Sequence, residues 1–308
     1  MVVGKSGFYT VDEEVKKMRF IGDVHLGRKF RTGVPLDRRG EVEELFFKEF
    51  DRVLRKPMQK KLVQLGDLFD SPVVDNEVLW RAYEIISVCA EINPETDYYF
   101  IAGNHDLSKD LNDVPAIKIL QTLLEGVKNV HFVLEKPVKV EDFTLIPWSY
   151  VNPLEDLLKL VETPYVAGHF EEPLHPALVN SGLEGFSGHI HKLHDNGKIH
   201  FVGSILPIAF GEESEDSIMQ TVDLKTLLEA PADYWHNKRV RVMLKEGEEL
   251  PANVDCLQLV AKRNDTDAQE VLDVSLEDFD FKELFMKELS ASGKAEELWE
   301  KYERLQNA

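Results

Sequence analysis

From residue 19 onward, short apolar runs alternate with longer amphipathic ones. Residues 19–21, 61–65, 98–102 and 165–167 are brief runs, each followed by a glycine: Gly22, Gly66, Gly103 and Gly168. Runs of this length bounded by glycine predict buried strands. Between them, Val42, Leu45, Phe46, Phe50, Val53 and Leu54 recur at helical spacing and stop before Pro57. Val78, Leu79, Ala82, Ile85, Ile86 and Cys89 share one face of a second predicted helix, which places Cys89 in a core. Residues 115–124 and 154–161 read as further helices. From about Asn129 the strands crowd together, at 130–134, 138–140 and 143–146, with later ones at 199–202 and 218–222. This alternation predicts α/β layers.

The pattern changes near Asp233. Pro231 to His236 reads as a linker. Beyond it, 239–244 and 256–261 read as strands, 268–272 as a short helix, and 280–289 and 295–305 as helices separated at Ser292-Gly293. The expected organisation is an N-terminal extension (1–18), a main domain (19–232), a small α/β capping domain (233–275) and a helical tail (276–308). Gly4-Lys5-Ser6 is a fragment of a phosphate-loop pattern without its upstream glycine or strand, and is read as accidental.

Composition narrows the classes. A hydrophobic content of 43% and a charged content of 30% describe a globular chain. The first 17 residues hold no apolar core of a secretory signal, and no run is long enough to span a membrane, so neither is expected. The two cysteines, Cys89 and Cys256, are far apart and lack metal-knuckle spacing, which predicts reduced thiols in a cytoplasmic protein. A net charge of −20 argues against binding nucleic acid by bulk charge. It does not exclude a nuclease, because a carboxylate-rich site carries its positive charge in the ions. Basic runs at 28–31, 38–39 and 55–61 fit solvated loop and helix ends as well as phosphate contacts.

The candidate chemistry lies where strands stop. Gly22-Asp23-Val24-His25, Gly66-Asp67-Leu68-Phe69-Asp70, Gly103-Asn104-His105-Asp106, Gly168-His169 and Gly188-His189-Ile190-His191 each set a glycine before a potential ligand. In open α/β sheets, ligands bind beyond the carboxyl ends of strands, and glycine lets the backbone turn sharply there. Asp and His without Cys suit manganese, iron or zinc. Asp67 is the natural bridge between two ions. Asp23, His25 and His191 then complete one shell, and Asn104, His169 and His189 the other. His105 is the candidate proton donor or phosphate contact, with Asp70 or Asp106 orienting it or another histidine. Any one of these motifs alone reads as a turn or packing residue. His131, His175, His200 and His236 keep that plain reading, and so does His194, with a weak exception for its nearness to the Gly188-His189-Ile190-His191 loop.

These residues resemble the calcineurin-like metallophosphoesterase signature (DxH, GDxxD, GNHD, GH and GHxH). Within it, Asp23-Val24-His25-Leu26-Gly27, Gly66-Asp67-Leu68-Phe69-Asp70, the Pro147-Trp148 pair and Gly203-Ser204 with Pro207, Phe210 and Glu212 are similar to SbcD nucleases of the meiotic-recombination-eleven family, in a compact, phage-like form. The resemblance implies a four-layer α/β/β/α sandwich with a small cap and a helical tail. It implies two divalent ions, manganese before magnesium, and in-line attack of water on phosphorus assisted by His105. The activity implied is exonuclease on duplex ends and endonuclease on single strands, in recombination, repair or replication. The implied partners are DNA and an SbcC-type coiled-coil ABC ATPase, in a 2:2 complex built on a homodimer. Phe279, Phe281, Leu284, Phe285, Leu289, Leu298, Trp299, Tyr302 and Leu305 form apolar stripes that fit that partner or the chain's own cap equally. The competing readings are a phosphoesterase of small molecules or phosphoproteins, and a structural clamp for the ATPase.

Overall fold

The alternation of strand and helix is present in a computed structural model that describes residues 2–3, 8–11 and 18–263, apart from 111, 173, 214–216 and 232. It builds two six-stranded sheets and a smaller one. The first sheet runs in chain order through β1 (Val2–Val3), β2 (Phe8–Val11), β3 (Met18–Ile21), β4 (Lys61–Gln64), β5 (Asp97–Ile101) and β6 (Val130–Val133). β3 to β6 are parallel. β1 and β2 pair antiparallel at the edge beside β3, so part of the 1–18 stretch extends this sheet.

The second sheet holds β7 (Val138–Val140), β8 (Phe143–Ile146), β9 (Tyr165–Gly168), β10 (Glu184–Ser187), β11 (His194–Asp195) and β12 (Ile199–Phe201), in the order β11-β12-β10-β9-β8-β7. β8, β9, β10 and β12 are parallel. β10 is not visible as a strand in the sequence, because Glu184-Gly185-Phe186-Ser187 has a single large apolar residue. It is central in the sheet, and a Cβ at Gly185 would overlap the Val166 carbonyl of β9.

The side chains of each strand alternate between faces. Phe20, Val63 and Ile101 of the first sheet meet Phe143, Leu145 and Phe186 of the second in a buried layer. Phe20 stacks on Phe186 at 4.3 Å between ring centroids. On the outer face of the first sheet, Ile21, Leu62 and Phe100 pack on α1 (Glu41–Arg55), α2 (Asn76–Ile92) and α3 (Ala116–Leu123). Phe50 of α1 is fully buried there, which contributes roughly 1.5–3 kcal/mol by area. The outer face of the second sheet is covered by α4 (Leu154–Leu158) and α5 (Pro176–Ser181) through Leu157 and Leu178. The result is the α/β/β/α order implied by the resemblance.

The third sheet is β13 (Met219–Asp223), β14 (Arg239–Leu244) and β15 (Gln258–Arg263). β13 and β14 are parallel, with α6 (Leu224–Glu229) in the crossover between them. A parallel pair needs such a crossover. This small sheet therefore begins at β13, before the boundary that the sequence places at 233. The helices expected at 268–272, 280–289 and 295–305, with their apolar stripes, lie outside the described residues. Among the described residues, no helix is long and apolar enough to cross a membrane.

Candidate metal centre

Five parallel strands, β3, β4, β5, β9 and β10, end at or just before the five glycine-led motifs. Their carboxyl ends bring the motifs together in two groups on either side of Asp67, with a third, His25, Asp70 and His105, sharing His25 with the first. The ligand atoms of Asp23, His25 and His191 lie within 4.8 Å of one another, and so do those of Asp67, His169 and His189. Asn104 joins the second group, with Oδ1 2.9 Å from His169 Nε2 and 3.0 Å from His189 Nδ1. Asp67 lies between the groups, its Oδ2 3.6 Å from His25 Nε2 and 3.3 Å from His169 Nε2.

The donor chemistry fits divalent ions. His25 Nδ1 donates to Asp70 Oδ1 at 3.1 Å, His191 Nδ1 to Glu212 Oε1 at 3.1 Å, and His169 Nδ1 to the Leu65 carbonyl at 2.8 Å. With the outer nitrogen carrying the proton, each neutral ring turns an Nε2 lone pair inward. His25 Nε2 and His191 Nε2 then face one another at 3.1 Å. His169 Nε2 likewise faces the Asn104 oxygen and, at 3.2 Å, His189 Nδ1. Lone pairs directed at one another repel, and either a proton or a cation between them relieves this.

The electrostatics point the same way. Burial alone would lift the Asp23 carboxyl, but its histidine neighbours, His191 first, hold it well below the usual carboxylate range. Asp67 is lowered against burial by His169. Burial opposes charge on the rings, yet Asp23 and Asp70 raise His25 to about 9, and Asp23 and Glu212 raise His191 to about 10. Asp67 raises His169 to about 9 against the same burial. His189 goes the other way, lowered by burial and by the neighbouring His169. Buried carboxylates thus demand positive charge, which protons supply in the absence of ions.

The glycines serve this convergence mainly by being small. Gly66 has φ 99° and does turn sharply, but Gly22, Gly103, Gly168 and Gly188 are not left-handed. A Cβ on Gly103 would overlap Asp67, and one on Gly188 would crowd the Leu65 carbonyl, Asp23 and His169. The left-handed strain falls on the ligands themselves: His25 at φ 50°, Asp67 at φ 55° and His189 at φ 74°. Such backbone costs about 1–3 kcal/mol per residue and persists where its surroundings enforce it. Here Val24 and His25 both donate to the Asp67 carbonyl at 3.0 Å, and His189 N donates to Asp23 Oδ1 at 2.9 Å.

His105 is half-buried beside His25, with ring centroids 4.9 Å apart and near-perpendicular planes. Its backbone N–H donates to Asp67 Oδ1 at 2.8 Å, and its Nδ1 donates to the Asp70 carbonyl at 2.8 Å. Asp70 therefore orients two histidines, His25 by its side chain and His105 by its backbone. Asp106 orients neither, contrary to its expected part. It is fully buried and accepts the backbone N–H groups of Leu68, Phe69 and Gly103 at 2.9–3.2 Å, pinning the Asp67 loop to the Asn104 loop. Burial and the adjacent Asp67 charge push its carboxyl up to about 7.

Four residues escaped the sequence reading as parts of the site. The Leu65 carbonyl carries no side-chain signal. Glu212 shows only as one letter of the segment after GHxH. Trp148 stacks on His189 at 6.1 Å and 12°, and Tyr150 Oη donates to the Asn104 carbonyl at 3.0 Å. Of the basic runs, Arg38 is buried against Glu41, Asp255 and the His236 carbonyl, and Arg55 pairs with Asp51. Arg28 stands next to the centre, 3.0 Å from Asp70. His131, His200 and His236 each pair with one aspartate, and His175 caps α5.

One curated relative, exonuclease subunit 1 of Enterobacteria phage T4, is 24% identical over 235 residues, which cover 68% of this chain and 65% of the relative. The match thus spans just under two thirds of that protein's own length. Residues 17–193 match the family described as calcineurin-like phosphoesterase. That match takes in more than half of the sequence and all five motifs, and the chain belongs to the calcineurin-like phosphoesterase family.

Proposed function

We propose that this protein is a divalent-metal-dependent phosphodiesterase acting on DNA, the nuclease subunit of a complex with a coiled-coil ATPase of the SbcC type. The observation that carries this is the pair of ligand groups on either side of Asp67, with His105 held beside them by Asp67 and Asp70. Asp23, His25 and His191 would hold one ion, Asn104, His169 and His189 the other, and Asp67 both. When bound, two such ions would supply an activated water and neutralise the charge developing on phosphorus.

The chain's own residues do the rest. The hydrogen bonds to Asp70, Glu212 and the Leu65 carbonyl fix three ring orientations before substrate arrives. His105 is locked through Nδ1, which leaves Nε2 to deliver a proton to the leaving oxygen. Arg28, on Asp70, is placed to meet a neighbouring phosphate.

The T4 relative's name, an exonuclease subunit, supports both the substrate class and a partner. With a net charge of −20, much of the DNA affinity would come from the ions and the ATPase. Further parts of the reading are manganese as the working ion, a homodimer in a 2:2 complex, a cap beginning at β13, and a tail at 276–308 that engages the ATPase. Buried, unpaired Cys89 and Cys256 fit the reducing interior of a bacterial cell.

The test is one assay grid. Linear duplex DNA, single-stranded DNA, a p-nitrophenyl phosphodiester and a phosphopeptide are offered with manganese or magnesium, with and without the ATPase. Manganese-dependent cleavage of DNA, with duplex degradation raised by the ATPase, is the expected result. Turnover of the phosphopeptide alone would replace this reading with a phosphatase, and no turnover of any substrate would leave a clamp.

A further inference from the structure

The small sheet reaches the metal centre through one buried arginine. Arg239 of β14 is 2% exposed, and its guanidinium is spent on fixed oxygens. Nη1 donates to the Pro207 carbonyl at 2.7 Å, Nη2 to the Ile208 carbonyl at 3.0 Å, and Nε to Gln258 Oε1 at 2.8 Å. It lies over the ring of Phe30 at 4.3 Å. Gln258 of β15 in turn donates to the Thr32 carbonyl at 2.7 Å. None of these acceptors is a carboxylate. A buried cation whose hydrogen bonds all go to neutral oxygens draws little stability from them, because its desolvation offsets most of the gain. Its planar fork is well suited to holding two consecutive carbonyls in one geometry.

Those two carbonyls belong to a turn that carries a partner of a ligand. The N–H groups of Ile208 and Ala209 donate to Glu212 Oε2 at 2.7 and 3.1 Å, while Glu212 Oε1 takes the His191 Nδ1 proton. Upstream, Ser204 N donates to the His191 carbonyl and Ile205 N to the Asp23 carbonyl, both at 3.0 Å. The segment 204–212 is thus tied to two ligands of one group and, through Arg239, to the small sheet.

We propose that Arg239 is a positioning residue for the Asp23–His25–His191 group: by gripping the Pro207 and Ile208 carbonyls it fixes the turn through which Glu212 aims His191, so the small sheet sets the geometry of that ion's site. This rests on the metal reading of the centre.

The test is manganese binding by the full-length chain, read by calorimetry and by the electron paramagnetic resonance of the ion, with no turnover involved. The wild type binds two ions. Glu212→Gln weakens one of the two steps about tenfold, and Arg239→Met weakens the same step roughly three- to tenfold. The double variant loses no more than the larger single effect, since both changes act through one contact chain. Val242→Ala trims one buried side chain of the small sheet while leaving the Arg239 grip on Pro207 and Ile208 in place, and it leaves both steps unchanged. If Arg239→Met does not fold, Arg239→Lys keeps the charge but loses the fork, and carries the same expectation.

Unchanged binding in a folded Arg239 variant, additive losses in the double variant, or an equal loss in Val242→Ala would overturn the proposal. A wild type that binds no manganese would overturn the metal reading instead.

Discussion

Each ligand group sets two histidines beside Asp67, but the groups differ in their third member, Asp23 or Asn104, and in what backs them. Behind Asp23, His25 and His191 stand two carboxylates, Asp70 and Glu212, each holding an outer imidazole nitrogen. Behind Asn104, His169 and His189 stand a neutral carbonyl, that of Leu65, and the flat face of Trp148. The first group is richer in negative charge and would bind its ion more tightly, but its rings also hold protons more firmly. The second group includes a neutral amide and a histidine whose proton affinity is lowered, so it would hold its ion more loosely. The residues one step behind the candidate ligands, together with the exchange of a carboxylate (Asp23) for an amide (Asn104), make the two positions unequal.

The largest expected effect removes the comparison altogether. Asp67→Asn takes away the carboxylate common to both groups. Manganese stoichiometry should fall below two, and DNA cleavage by about a thousandfold or more, because several kcal/mol of charge stabilisation goes with the ions. Calorimetry beside the cleavage assay reads both, and two ions in the variant would deny Asp67 its bridging place.

His105→Ala should spare both groups. Cleavage should fall roughly 10²–10⁴-fold with two ions still bound, the range for loss of a positioned proton donor. Full activity in the variant removes His105 from the chemistry.

Asp70→Ala should split the groups. It strips the backing from His25 and should weaken only the tighter manganese step, roughly 10–100-fold. Equal weakening of both steps would show that the groups are not independent.

The smallest effect is in pH. His25 is held at about 9 and His191 at about 10 in the first group, and His169 at about 9 in the second, while His189 is lowered. An ion entering the first group displaces about two protons, and one entering the second about one. Manganese affinity should therefore rise with pH up to about 9 for the looser step, and more steeply and up to about 10 for the tighter one. Stability moves oppositely in the metal-free chain. A ring whose folded pKa is raised above the ordinary 6.5 stabilises the fold fully below that value, and the contribution is lost as pH rises through about 9–10. The metal-free melting temperature should fall across that window, and saturating manganese should flatten the curve. A flat metal-free curve would count against the raised rings.

Much of this site was legible because its elements are local. A strand, a glycine and a ligand sit within a few residues, so Asp23, His25, Asp67, Asn104, His105, His169, His189 and His191 stand out in sequence, and the fold then brings them together. The glycines were found for the wrong reason at four of the five motifs. Only Gly66 turns the chain left-handed; Gly103 and Gly188 are small because another loop's ligand occupies the space of a side chain, which no local pattern records. β10 was hidden by its small and polar residues. Asp106 looked like a partner for a histidine, but its acceptors' needs are set by backbone N–H groups 37 and 38 residues away. The pairing of β13 with β14 was not legible, because it reaches across a stretch that composition alone marks as a linker.

The central claim is that two cations share Asp67 at the meeting of five strand ends. Anomalous scattering at the manganese edge from crystals of the full-length chain tests it most directly. Two peaks are predicted, one bounded by Asp23, His25 and His191, the other by Asn104, His169 and His189, and both in contact with the Asp67 carboxylate. A single peak, or two peaks of which either does not touch Asp67, would contradict it.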